Sequence, residues 1–173
     1  MSTNTAPDDV LKGRVSYVFD DFFDVDLIIG PARMHDRRAN EPQYQREWVM
    51  HDHDPAFVTS VRPGDMLVGG TLFGYGHPHG QGMRIMRELG IQVVIAESFF
   101  PSFHQNESFH GMILLTCPGI RAAVARWDPV EVDWRQGRVT LPARSIMLHH
   151  EPLTPYEIAC VEAGGELALL QAS

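Results

Sequence analysis

The chain has 173 residues, enough for one domain with a buried core. Its hydrophobic content of 44% and charged content of 21% are ordinary for a globular protein. A formal net charge of −8 with no basic block argues against nucleic acid and anionic membranes as partners, and no apolar run approaches the ~20 residues that span a bilayer.

In chain order, the opening MSTNTAPDD is polar and acidic and lacks an apolar segment. No secretory signal is read there, a cytoplasmic location is expected, and residues 1–12 read as a flexible lead. GRVSYVF, from Gly13, reads as a first strand. DDFFDVDLII reads as an acidic turn running into a short apolar strand. Residues 31–55 are polar and aperiodic, which predicts a long loop. AFVTSV predicts a short helix, and RPGDMLVGG a turn and then a buried strand.

Next comes FGYGHPHGQG, Phe73 to Gly82, with four glycines, two histidines and a proline. It cannot be the interior of a helix or a strand. GMRIMRELG follows, with Ile85, Met86 and Leu89 on one helical face and Gly90 as a stop. IQVVIAES is then an unbroken apolar strand of the kind buried in a parallel pairing. Asp65 to Ser98 therefore reads as a βαβ unit.

FFPSFHQNES reads as a helical or irregular link that packs Phe99, Phe100 and Phe103. GMILLTC is a further buried strand, and GIRAAVARW a short helix. VEVDW and RVTL, separated by RQG, predict a hairpin. TPYEIACVEAG, with a Thr cap, Pro at the first helical position and a glycine stop, predicts a closing helix. The sum is a single mixed-sheet α/β domain over residues 1–173.

The glycine-rich turn is the candidate site. Ligands of α/β folds gather beyond the carboxyl ends of strands, where the N–H groups of the next helix favour an anion. Gly74, Gly76 and Gly80 would let the backbone take positive φ and approach a ligand. The spacing is neither a P-loop nor a dinucleotide fingerprint. His77 and His79 put imidazoles there, available as a neutral base near pH 7. The other histidines, His51 and His53 in HDHD, His104, His110, His149 and His150, match no zinc framework, so no metal is expected in this chain. Cys117 and Cys160 are two thiols outside any CxxC pair, too few for an iron–sulfur cluster.

Several strings, in the same order, resemble the small subunit of 3-isopropylmalate dehydratase, the swivel domain of the aconitase superfamily. They are GRVSYVFDDFFDVDLIIGPARM, VRPGDMLVGGTLFGYG, LGIQVVIAESFFPSFHQNESFHGMILLTC, VEVDWRQGRVTL and EIACVEAGGELALL. The resemblance runs from about Gly13 to Leu170. It implies an α/β swivelling β/β/α domain with a mixed sheet, like the C-terminal domain of aconitase. It also implies a hydro-lyase that dehydrates and rehydrates a small hydroxy-acid. The [4Fe–4S] cluster would be held by cysteines of a separate large subunit, over which the small domain closes.

In that family a Ser-Ser-Arg-Glu turn follows Phe-Gly-x-Gly, its first serine the base and its arginine a grip on a substrate carboxylate. Here His77 stands at the serine, Pro78 at the second serine and His79 at the arginine. Asp24 and Asp26 match an Asp-Thr-Asp, with Val25 at the threonine, and Leu72 stands where the family has asparagine. The resemblance therefore implies His77 as a general base with Asp26 beside it in the catalytic group, and His79 and Gly76 as substrate contacts. Arg33, within the PAR string, and Arg38, with Arg37 next to it, are candidates to replace the missing arginine. A histidine offers at most one charge and no bidentate fork. The departures imply a hydroxy-acid other than standard 3-isopropylmalate, with one fewer carboxylate at this end or with a neutral group there. A non-catalytic accessory subunit that keeps the swivel fold is the competing reading.

Overall fold

The computed structural model describes residues 6–76 and 79–172. Seven strands form one sheet: β1 (Val10–Val18), β2 (Met66–Gly69), β3 (Val93–Ala96), β4 (Ile113–Thr116), β5 (Pro129–Asp133), β6 (Arg138–Leu141) and β7 (Ile146–His149). Their order across the sheet is β4-β3-β2-β1-β5-β6-β7. The pairings from β4 to β1 are parallel, and those from β1 to β7 are antiparallel. β1 divides its pairing along its length. Val10 to Arg14 pair with β5, and Val15 to Val18 pair with β2 through a register shift between Val15 and Tyr17.

The central strands are apolar on both faces, and their period of two deals residues to two cores. Leu67, Val94, Ala96 and Leu114 join Phe19, Phe57, Phe73, Met83, Met86 and Phe103 on one side. Met66, Val68, Val93, Ile95, Ile113 and Leu115 join Val130, Val132, Trp134, Val139 and Leu141 on the other. Among the helices, α4 (Gln81–Glu88) connects β2 to β3 and buries Met83, Ile85 and Met86. The strand–helix–strand order read for Asp65 to Ser98 is present, with β2 and β3 parallel. α3 (Phe57–Ser60) stands where AFVTSV predicts a short helix, α5 (Pro101–Phe109) fills the expected link, and α6 (Ile120–Ala123) and α7 (Pro155–Ala163) fall where their signals place them. Thr154 and Glu157 form a reciprocal capping box at the start of α7.

Three local expectations are corrected. The first strand begins at Val10 rather than Gly13, so residues 10–12 are not a flexible lead. Antiparallel bonds to β5 hold them, and the Trp134 indole donates to the carbonyl of Asp8 at 2.9 Å. The long loop at 31–55 contains two helices, α1 (Pro31–Met34) and α2 (Pro42–Trp48), each with a proline in its first turn. DVDLII is a turn of 3₁₀ helix at Val25–Ile28 rather than a strand, because the Asp24 carboxylate caps it by accepting the Asp26 N–H at 2.9 Å. β7 and α8 (Glu166–Ala172) are elements without a sequence expectation.

Candidate functional site

The segment after β2 is held from two sides. From one side, the Phe22 N–H donates to Thr71 O at 2.7 Å, Asp21 Oδ1 accepts the Thr71 N–H at 2.7 Å, and the Gly74 N–H donates to Phe23 O at 3.0 Å. From the other, Ser98 Oγ accepts the Leu72 N–H, Ser98 O accepts the Phe73 N–H, and the Phe100 N–H donates to Phe73 O. Phe73 is fully buried at the centre of an aromatic cluster. Its ring centroid lies 5.3 Å from Phe19, 5.9 Å from Phe23 and 5.4 Å from Phe103.

Two glycines of this turn meet real steric demands. Gly74 has φ +85°, and a Cβ there would overlap the Phe103 side chain. Gly76 has φ +101°, and a Cβ would come within 3.2 Å of Asp24 Oδ2. Gly80 departs from expectation: its φ is −66° and a Cβ would meet open space. Leu72 takes positive φ instead, at 50°, as does Phe22 at 55°.

Gly82 sets the approach of α4 to the 3₁₀ turn. A Cβ at Gly82 would lie 3.0 Å from both Ile28 Cβ and Val25 O, so any larger residue would have to push the 3₁₀ turn away by a few tenths of an ångström. The result places Asp26 at the start of α4. Its Oδ1 accepts the backbone N–H of His79 at 2.7 Å, and its Oδ2 lies 2.7 Å from His79 Nδ1. The Asp26 side chain is 11% exposed and that of His79 is 61% exposed. The carboxylate sits behind and the imidazole in front.

Of the residues singled out from sequence, Asp26 and His79 thus meet across 53 positions, and Gly76 lies against Asp24 rather than Asp26. His77 lies outside the described residues, as does Pro78. The two arginines are engaged elsewhere. Arg33 makes a bidentate pair with Asp52, at 2.6 and 2.9 Å, and lies over the Trp48 ring. That pair holds the Asp52 carboxyl below its usual range. Arg38 pairs with Asp36 and lies over Tyr44.

A pocket of about 380 Å³ opens beside His79, lined by Asn40, Gly80, Gln81, Arg84, Arg87 and His110. Arg84 and Arg87 had no sequence signal, because α4's arginines look like an ordinary solvated face. Arg84 donates to Gln45 Oε1 at 2.6 and 3.1 Å and to Asn40 O at 3.0 Å. The Gln45 amide in turn donates to Ala39 O, so α4 is tied to the 39–45 segment. Arg87 pairs with Glu107, whose carboxyl burial nevertheless pushes above its ordinary value. Burial, with the Arg87 charge, pulls His110 down.

Among the described residues, no group of three or more His, Cys, Asp or Glu side chains is placed to hold a metal ion. Cys117, just past β4, and Cys160, in α7, are both buried, and burial together with the Glu97 charge pushes the Cys117 thiol up to about 12. These thiols do not fit an iron–sulfur cluster.

No family model matches the chain. It is 34% identical over 155 residues to the 3-isopropylmalate dehydratase small subunit of Halothermothrix orenii, covering 90% of this chain and 92% of that one. It is 33% identical over 162 residues to the isopropylmalate/citramalate isomerase small subunit of Methanocaldococcus jannaschii, covering 94% of each. The crystal structure of 3-isopropylmalate dehydratase (leuD) from M. jannaschii superposes with a TM-score of 0.82 at 26% identity, again over 94% of both chains. This full-length similarity, and the shared curled mixed sheet, show that the chain belongs to the 3-isopropylmalate dehydratase small-subunit family.

Proposed function

We propose that the chain is the small subunit of a heteromeric hydro-lyase, and that it acts on a small hydroxy-acid only when joined to a large subunit. Family membership over nine-tenths of the chain carries this reading. The large subunit would hold the [4Fe–4S] cluster, since the two buried thiols here offer no site for one. When bound there, the cluster supplies Lewis-acid chemistry toward the substrate hydroxyl. The part of this chain is to present the turn after β2: to orient the substrate, exclude water and move a proton. The same reading places the complex in the cytoplasm; no helix among the described residues is long and apolar enough to cross a membrane.

The substrate we infer is a hydroxy-acid other than 3-isopropylmalate, with one fewer carboxylate, or a neutral group, at the end that meets the turn. Two observations support it. Position 79 is histidine, and the arginines that would compensate, Arg33 and Arg38, are already paired with Asp52 and Asp36. Arg84 and Arg87 line the adjacent pocket, yet both already hold Gln45 and Glu107. A bidentate grip on a second carboxylate would cost one of these bonds.

The test is anaerobic reconstitution with the large subunit, then turnover of 3-isopropylmalate, citramalate and monocarboxylic hydroxy-acids. Dehydration by the complex and none by the small chain alone is the expected result. Turnover by the small chain alone defeats the heteromeric reading, and equal or better turnover of 3-isopropylmalate defeats the substrate reading.

A further inference from the structure

We propose that Nε2 of His79 is the atom that takes and returns the substrate proton, with Asp26 as the residue that positions it. The inference rests on the hydro-lyase reading above and assigns the proton chemistry of that site.

The geometry is a two-point grip by one carboxylate on one residue. Asp26 Oδ1 holds the His79 backbone N–H and Oδ2 holds Nδ1, each at 2.7 Å. The backbone bond fixes where the residue sits. The ring bond then fixes which way the imidazole faces. In a neutral imidazole, an Nδ1–H given to a carboxylate leaves the lone pair on Nε2. With the carboxylate 11% exposed and the ring 61% exposed, the basic nitrogen is on the open side.

Asp26 is itself held rigidly. Asp24 caps its turn, Val25 and Ile28 anchor the turn in the core, and Gly82 lets α4 press against it. Stability alone does not explain the ring bond. A side-chain contact with a partner this open to solvent contributes at most about 1 kcal/mol, and the backbone N–H bond already pins the turn. Among the described residues, the other charged and titratable groups on the surrounding elements include Asp24; Arg84, Arg87 and Glu88 of α4; and His110 just beyond α5.

The step balances without a redox partner. The Nε2 lone pair accepts the proton from the carbon beside the substrate carboxylate. The C–H electron pair becomes the new C=C bond as the neighbouring C–O bond breaks, and hydroxide leaves with the C–O bonding pair. The imidazolium proton then combines with hydroxide as water, or returns to carbon when the reaction runs toward hydration.

Two measurements test this. Nitrogen NMR of the histidine rings in the full chain at pH 8 is expected to show His79 as the Nδ1–H tautomer, a preference lost in Asp26→Asn. A wild-type His79 in the Nε2–H tautomer, or no response to Asp26→Asn, overturns the dyad. In the complex with the large subunit, assayed on whichever of 3-isopropylmalate, citramalate and the monocarboxylic hydroxy-acids the wild type turns over fastest, His79→Gln is expected to lower kcat by ~10²–10⁴ with a smaller change in KM. The limb of the pH profile along which the rate rises with pH should vanish with it, and Asp26→Asn should lower kcat in the same direction. If His79→Gln raises KM alone while His77→Gln abolishes turnover, the inference falls and the hydro-lyase reading stands. If the wild-type complex turns over no hydroxy-acid, both fall.

Discussion

The two halves of the sheet share β1 and differ in almost everything else. From β1 to β7 the strands run antiparallel, and charges on the exposed face close with near neighbours: Lys12 with Glu131, Arg138 with Asp133. From β4 to β1 they run parallel, and all their carboxyl ends open on one side. That is where Phe22 and Leu72 take left-handed backbone, where Gly74 and Gly76 are required, and where Asp20, Asp21, Asp24 and Asp26 crowd. Left-handed backbone alone does not separate the halves, since Trp127 just before β5 and Ser145 between β6 and β7 also take it. What separates them is the gathering of carboxylates and sterically required glycines: one half of this sheet is a support, and the other carries the candidate site.

The sharpest way to break that contrast is a pair of alanines. Gly74→Ala combines overlap with Phe103 and a positive φ, so it should cost about 4 kcal/mol or more in urea unfolding. Gly137→Ala, in the β5–β6 hairpin at φ +74°, meets only His150 O at 3.4 Å and should cost about 1 kcal/mol. Equal losses would show that the turn after β2 is no more constrained than an ordinary hairpin.

Buried charge separates the halves next. Arg87→Met leaves Glu107 buried without its cation and should cost about 3 kcal/mol at pH 7. The sign with pH follows from the raised Glu107 carboxyl. The folded state holds that proton more tightly than the unfolded chain, so the variant should regain stability as pH falls toward the carboxylate range. Asp133, on β5, has the opposite sign, because Arg138 lowers its carboxyl. Its contribution is present above the unfolded carboxylate pKa and is lost as pH falls through the lower folded value. Asp133→Asn should therefore cost under about 1 kcal/mol at pH 7 and nothing in acid. Denaturation midpoints between pH 7 and 3 would show both deficits against the wild type shrinking as pH falls: in Arg87→Met because Glu107 takes up its proton, and in Asp133→Asn because the wild type loses its own Asp133 contribution.

The smallest effect is chemical. Cys117, buried at the end of β4 with its thiol pushed up to about 12, should resist iodoacetamide in the native state at pH 8. Modification that is rapid without denaturant would show that this edge of the parallel half opens.

What was legible in the sequence was whatever chemistry is local. Ile85, Met86 and Leu89 reported a helix face because burial follows the 3.6 period, and all three are buried. The apolar runs of β2, β3 and β4 reported parallel strands covered on both sides. Contacts between distant residues were not legible. Nothing near Arg33 announces that Asp52 will occupy it, and nothing near His79 announces Asp26. Gly80 looked like part of the glycine requirement, but its backbone is one any residue adopts. β7 escaped because an edge strand alternates half-buried with exposed residues over only four positions. α8 escaped because Gly164 and Gly165 mark a stop, after which ELALLQA is too short to declare itself.

The divided pairing of β1 also bears on how the chain folds. Val15 to Val18 find their partners about fifty residues on, in β2, whereas Val10 to Arg14 wait for residues 129–133. Loop closures this long are slow, and the later one cannot begin until β5 has left the ribosome. Through most of synthesis the first half of β1 is an open edge, which is a template for mispairing. Lys12 and Arg14 sit on that stretch, and charge on an exposed edge disfavours pairing with another chain. Once closed, β1 lies between both halves. Its amide hydrogens should be among the last to exchange, and loosening at the site end should be felt in the support.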